Sequence, residues 1–113
     1  MSDGPPPDLV SYTFALLRRG PRAFEYDDDE LGRLQAGHLA FLDEMRSAGH
    51  LVMAGPFREQ EDETLRGFCV YRTGLEETRT LVAGDPAVRA GRMAVDVMTW
   101  LTLRSDLDPG RDG

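Results

Sequence analysis

Imidazole titrates at about pH 6.5 when unperturbed, the range in which a side chain can both take and return a proton. His38 is the imidazole here that sits where such chemistry needs it. It lies in the run Leu34-Gln35-Ala36-Gly37-His38-Leu39-Ala40-Phe41-Leu42-Asp43-Glu44-Met45. On a helix, Leu34, Phe41, Leu42 and Met45 share one stripe through their three- and four-residue spacings, and His38 stands inside it. An apolar residue belongs at that position. The imidazole therefore points to where the helix meets its sheet and must find a polar partner elsewhere in the chain.

A general base needs one nitrogen neutral and turned to the substrate, and a group that fixes the proton on the other. A carboxylate is the usual orienter, and Asp85 is the best placed, since it follows a second helix and enters the loop before the last strand. Asp43, Glu44 and Glu30 are alternatives on the histidine's own helix. Glu44 falls on another face, Asp43 is marginally oriented, and Glu30 would reach His38 poorly. Each member of the pair also has a plain structural reading. His38 fits a buried histidine satisfied by a backbone carbonyl, and Asp85 fits a cap for the turn that Pro86 begins. Capping uses one carboxylate oxygen, so it is compatible with holding an imidazole. A catalytic His38 should face a cavity with one nitrogen free, whereas a structural one should have both satisfied by protein. His50 reads as a surface or turn residue. Cys69, the single cysteine, lies in the apolar run Gly67-Phe68-Cys69-Val70-Tyr71 and reads as a small buried hydrophobe.

The elements that must position these groups follow from periodicity. Val10, Tyr12, Phe14 and Leu16 alternate with Ser11, Thr13, Ala15 and Leu17, a strand that Arg18-Arg19-Gly20-Pro21-Arg22 ends. An acidic loop, Tyr26 to Glu30, leads into a helix from about Glu30 to Ala48, stopped by Gly49. Gly37 inside this helix costs roughly 1 kcal/mol relative to alanine, which suggests close approach by another element. Leu51-Val52-Met53-Ala54 reads as a second strand turned by Gly55-Pro56, and a third runs from about Leu65 to Arg72. Thr73-Gly74-Leu75-Glu76 has the form of a capping box for a second helix through Val82, stopped at Gly84. A single helical turn from Pro86 then leads to a last strand beginning near Met93.

The order strand, helix, strand, strand, helix, strand predicts an α+β, ferredoxin-like βαββαβ fold, a four-stranded antiparallel sheet with both helices on one face. The last strand puts Trp100 and Met98 on one side and valines on the other, so the open sheet face is apolar and a second copy of the chain is its expected cover. A homodimer is the expectation. The domain should span residues 10–104, between a proline-rich lead-in at 1–9 and a polar tail at 105–113.

Composition narrows the function. The 113 residues suit one domain, and 41% hydrophobic content argues against disorder. No apolar run is long enough for a membrane helix. Met1-Ser2-Asp3-Gly4-Pro5-Pro6-Pro7 has neither the basic nor the apolar region of a signal peptide, so a cytoplasmic location is expected. Thirteen basic against 20 acidic residues leave a net charge of -7, which disfavours nucleic acid as a partner. Asp27-Asp28-Asp29 lacks the spaced glycine and glutamate of an EF-hand loop and reads as solvated loop. No metal-ligand cluster, phosphate-cradling glycine loop, nucleotide motif or nucleophile elbow is present in the sequence, and no cofactor or metal is predicted.

His38-Leu39-Ala40-Phe41-Leu42, Gly49 with Leu51, Ala54-Gly55-Pro56-Phe57, Leu65-Arg66-Gly67-Phe68 and the stretch from Asp85 to Met93, closing on Trp100, occur in an order that resembles the YciI-like (YCII-related) family. The resemblance runs from about Tyr12 to Leu101. It implies a dimeric α+β barrel, in which two ferredoxin-like sheets pack through their open faces, and an active-site histidine–aspartate dyad that maps onto His38 and Asp85. One branch of the family resembles chlorinated muconolactone dehydrochlorinases. The sequence departs from the commoner pattern: Ala87 stands where an aromatic often follows Asp-Pro, and the acidic stretch Asp27 to Asp29 and the proline-rich N-terminus are extra.

Arg66 and Arg92 each neighbour a strand start, where a guanidinium could hold a substrate carboxylate bidentately; the competing role is a solvated strand-end charge. Gly55 and Pro56 are expected to shape the pocket wall through their backbone. Two functions are thus in contention. One is a cofactor-independent general-base lyase or isomerase, dehydrochlorinase-like, acting on a small lactone or enone. The other is a non-catalytic module that binds a small molecule or supports a partner.

Overall fold

The structure is a computed structural model and describes residues 8–107. It contains four strands, β1 (Leu9–Arg19), β2 (Leu51–Pro56), β3 (Leu65–Tyr71) and β4 (Met93–Leu103), and three helices, α1 (Asp28–Ser47), α2 (Leu75–Val82) and the single turn α3 (Pro86–Arg89). The strands form one antiparallel sheet in the order β2-β3-β1-β4, the ferredoxin-like α+β topology. Most of the proline-rich lead-in and of the polar tail lies outside the described residues. Leu9 already pairs with Leu103, and residues Arg104–Leu107 form a 3-10 turn.

The alternation in β1 separates two environments. Thr13, Ala15 and Leu17 are buried and face the helices, where Phe41, Leu42 and Met45 of α1, Val82 of α2, Leu51, Cys69 and Tyr71 complete the core. Removing a ring such as that of Phe41 from this packing would cost about 3–5 kcal/mol. The intervening β1 residues look the other way. Phe14 stacks on Phe68 with centroids 5.1 Å apart and meets Trp100 edge-on at 6.2 Å, and Met98 beside them is exposed. The second sheet face is thus as apolar as its sequence: Val70, opposite Phe14, is buried among these side chains, while Met98 stays exposed.

Several boundaries differ from the sequence expectation, each for a local reason. The acidic stretch is not simply a loop: Asp27 caps α1, its side chain accepting from the Glu30 amide while Glu30 reaches back to the Asp27 amide, and Asp28 to Glu30 form the first turn. Negative charge there complements the helix dipole. β2 does not turn at Gly55-Pro56 but runs through it, because β2 is an edge strand and the missing Pro56 N–H can face away from the sheet. The capping box expected at Thr73 is absent. Gly74 occupies the cap without a side-chain bond. Thr73 is instead anchored through its carbonyl, which accepts from Thr13 Oγ1 at 2.6 Å, and through its hydroxyl, which meets that of Thr78 at 2.6 Å. Gly49 ends α1 as expected, with φ +81°.

Candidate active site

His38 is presented by the middle of α1 and Asp85 by the residue before α3, and the fold brings them together. Imidazole Nδ1 lies 2.6 Å from Asp85 Oδ2, and both side chains are buried. The other carboxylate oxygen, Oδ1, accepts from the Ala87 amide at 2.9 Å, which caps α3. One carboxylate therefore performs both tasks. Because it accepts, the proton is assigned to Nδ1, and a neutral ring then carries its lone pair on Nε2. Nε2 has no partner among the described residues, and no buried polar side-chain atom there is left unsatisfied. Nε2 therefore opens onto the cavity that His38 lines.

That cavity is about 500 Å³, a size for one small organic molecule. Its α1 wall is the stripe Leu31, Gln35, His38, Leu42 and Arg46, and its sheet wall includes Leu17, Ala54 and Cys69. Cys69 is fully buried, and desolvation pushes its thiol up to about 12, with the nearby Asp85 charge adding to the effect. A protonated thiol of that kind is a poor nucleophile. Burial likewise pushes the Tyr71 phenol well up. Two of the alternative partners for His38 are committed elsewhere: Asp43 pairs with Arg46 at 3.0 Å, and Glu30 closes the α1 cap.

A family model for the YCII-related domain matches residues 13–101. The chain belongs to the YCII-related family. A relative in Bacillus subtilis (strain 168), the uncharacterised protein YjpA, is 28% identical over 89 residues, covering 79% of this chain and 94% of that one. Among solved structures, the chain is similar to 5-chloro-2-hydroxyhydroquinone dehydrochlorinase (TftG) from Burkholderia phenoliruptrix in complex with 2,5-dihydroxybenzoquinone. That match has a TM-score of 0.51 and 22% identity, and covers 78% of this chain and 92% of the other. The shared architecture is that of the dimeric α+β barrel fold class.

In this YCII-related domain the structure places Gly55, Pro56, Arg66 and Arg92 on the wall of the cavity that His38 enters, whereas Asp85 stands behind the imidazole. Sequence reasoning missed two further wall cations, Arg19 and Arg46, and two apolar side chains, Phe24 and Leu39. The arginines had a legible signal. Arg19 continues the inward parity of Thr13, Ala15 and Leu17. Arg46 lies eight residues after His38 and four after Leu42, on the same helical stripe. Phe24 carried no such signal, because it lies in the irregular segment between β1 and α1, on a 3-10 turn at Ala23–Glu25. Among the described residues, no three His, Cys, Asp or Glu side chains gather as a metal site, and no helix is long and apolar enough to cross a membrane.

Proposed function

We propose that this YCII-related domain is a cofactor-independent lyase or isomerase in which His38, oriented by Asp85, is the general base. The observation that carries this reading is the division of labour on the imidazole: Nδ1 is held by a buried carboxylate while Nε2 is free and faces the cavity. Nε2 takes a proton from carbon next to a carbonyl in a small lactone or cyclic enone. The electron pair released forms a double bond, either expelling a leaving group such as chloride from the adjacent carbon or being reprotonated further along. The imidazolium is stabilised by the Asp85 carboxylate through the proton already between them. Gly55 and Pro56 shape the wall, and Arg66 and Arg92 bind the substrate. A structural relative that is a dehydrochlorinase and carries a cyclic enedione in its complex supports the same chemistry.

The functional unit is a homodimer in the cytoplasm. The apolar sheet face with Phe14, Phe68, Met98 and Trp100 supports a second copy as its cover. A free buried cysteine and the lack of a membrane-crossing helix among the described residues are consistent with that address.

The test is hydrogen exchange in D2O. Unsaturated γ-lactones and cyclohexenones are incubated with the wild type, His38→Ala and Asp85→Asn, and deuterium entering next to the carbonyl is followed by NMR. Exchange that requires His38 and Asp85 supports the general base. Binding without exchange would replace it with the non-catalytic module.

A further inference from the structure

We infer that the ligand of this cavity is a small ring compound bearing a carboxylate, with Arg19 as an anion-binding residue beside Arg66 and Arg92, and Phe24 at the mouth against the ring. The inference rests on the cavity being the substrate site and adds the charge and shape of what it takes.

The first observation is a charge segregation. The chain carries 20 acidic and 13 basic residues, yet the cavity wall holds four arginines and no carboxylate. Asp85, the one acid close by, is spent on His38 and the α3 cap. Arg46 is already paired with Asp43. Arg19, Arg66 and Arg92 form no ion pair within 4 Å among the described residues, so their charge is available to a ligand. An acidic surface around a cationic recess directs an anion to the recess rather than to the surface.

The second observation is the register. Arg19 ends β1 opposite Met93 at the start of β4, with Arg92 one residue before it, and the Arg19 amide donates to the Thr64 carbonyl just before β3, which Arg66 enters. The three guanidinium-bearing residues thus sit at one end of three adjacent strands, β3-β1-β4, which are spaced about 4.8 Å apart. A carboxylate matches that row because one guanidinium can hold both its oxygens while a neighbour adds a third bond.

Phe24 is the third. Its ring is 85% exposed, far more than a phenylalanine of the core, and the Arg19 guanidinium lies 5.0 Å over its face. Leu39, also on the cavity wall, is 52% exposed. A cation held on an aromatic face keeps its orientation without spending its hydrogen bonds, which remain for the ligand. An aromatic and a leucine at the mouth offer apolar surface to a planar ring.

Calorimetric titration with benzoate, its neutral isostere benzamide, and phenylphosphate tests the inference, in the wild type and in Arg19→Met, Arg66→Gln and His38→Ala. The expected result is benzoate binding about tenfold or more tighter than benzamide, a preference that shrinks as sodium chloride is raised and falls to about threefold or less in either arginine variant. It persists in His38→Ala. Equal or tighter binding of benzamide, no binding of any probe, or an unchanged preference in both arginine variants would overturn it. Phenylphosphate binding tenfold tighter than benzoate would overturn the carboxylate assignment in favour of a phosphate ester. Because this readout needs no turnover, an intact carboxylate preference without deuterium exchange would sink the general base and leave the anion site standing.

Discussion

Gly37 and Pro86 pack so closely that a side chain at position 37 would require Pro86 to give by a few tenths of an ångström. A Cβ at position 37 would lie 3.2 Å from both Cβ and Cγ of Pro86, so the missing side chain on α1 is what lets the start of α3 settle against it. The neighbours of these two residues are His38 and Asp85. The glycine that weakens the helix thus lies at the close approach of α1 and α3 that flanks the 2.6 Å contact.

Gly37→Ala should separate stability from function. Alanine adds about 1 kcal/mol of helix propensity, which offsets the cost of pushing Pro86 away by a few tenths of an ångström. The expected outcome is a thermal midpoint close to the wild type with His38-dependent deuterium exchange reduced about tenfold or more, since Asp85 moves with Pro86. Full exchange activity in a folded Gly37→Ala protein would show that the spacing is not critical.

Asp85→Asn keeps an oxygen for the Ala87 amide but presents an amide group to Nδ1. With the imidazole proton no longer accepted there, the ring should shift to the Nε2–H tautomer and turn its lone pair away from the cavity. Nitrogen-15 spectra of the histidine ring read this directly. Loss of exchange by about a hundredfold or more is expected, with a stability cost of about 1–3 kcal/mol for replacing a charge-assisted bond. An unchanged tautomer would reduce Asp85 to a helix cap.

Alkali should unfold the protein through its core. Cys69 is pushed from 9.0 to about 12 by burial, and Tyr71 is raised by burial as well. A raised folded-state value means that the unfolded chain loses its proton first. Stability is therefore complete below about pH 9 and declines from there toward pH 12. Native Cys69 should also resist thiol reagents at neutral pH. Cys69→Ala should flatten the alkaline decline; an identical decline in that variant would place its cause elsewhere.

Trp100→Glu tests the open sheet face. The ring meets Phe14 edge-on there, and a carboxylate would be buried unpaired if a second sheet covered it. Light scattering on a sizing column should give twice the chain mass for the wild type and a single chain mass for the variant. Twice the chain mass in both would exclude this face as the contact.

Much of this was legible in the chain alone, where a local pattern carries its own meaning. Period-two alternation in Val10 to Leu17, the stripe around His38, the Gly49 stop and the Asp85-Pro86 cap each depend on neighbours within one turn or one strand pair, and the order of elements then selects the ferredoxin-like sheet. The YCII-related resemblance rests on the same ordered segments. Where local preference met a tertiary competitor, the reading failed. Thr73 was drawn away from capping by Thr13 and Thr78, and Pro56 stayed in β2 because an edge strand has an unused side. The contact between residues 38 and 85 spans 47 positions, so no spacing rule contains it; the tertiary packing of α1 and α3 decides the distance. The same holds for the arginine row. Arg66 and Arg92 were legible one by one as carboxylate-binding candidates at strand starts, and Arg19 by its parity, but only the register of three strands makes the three neighbours around one recess.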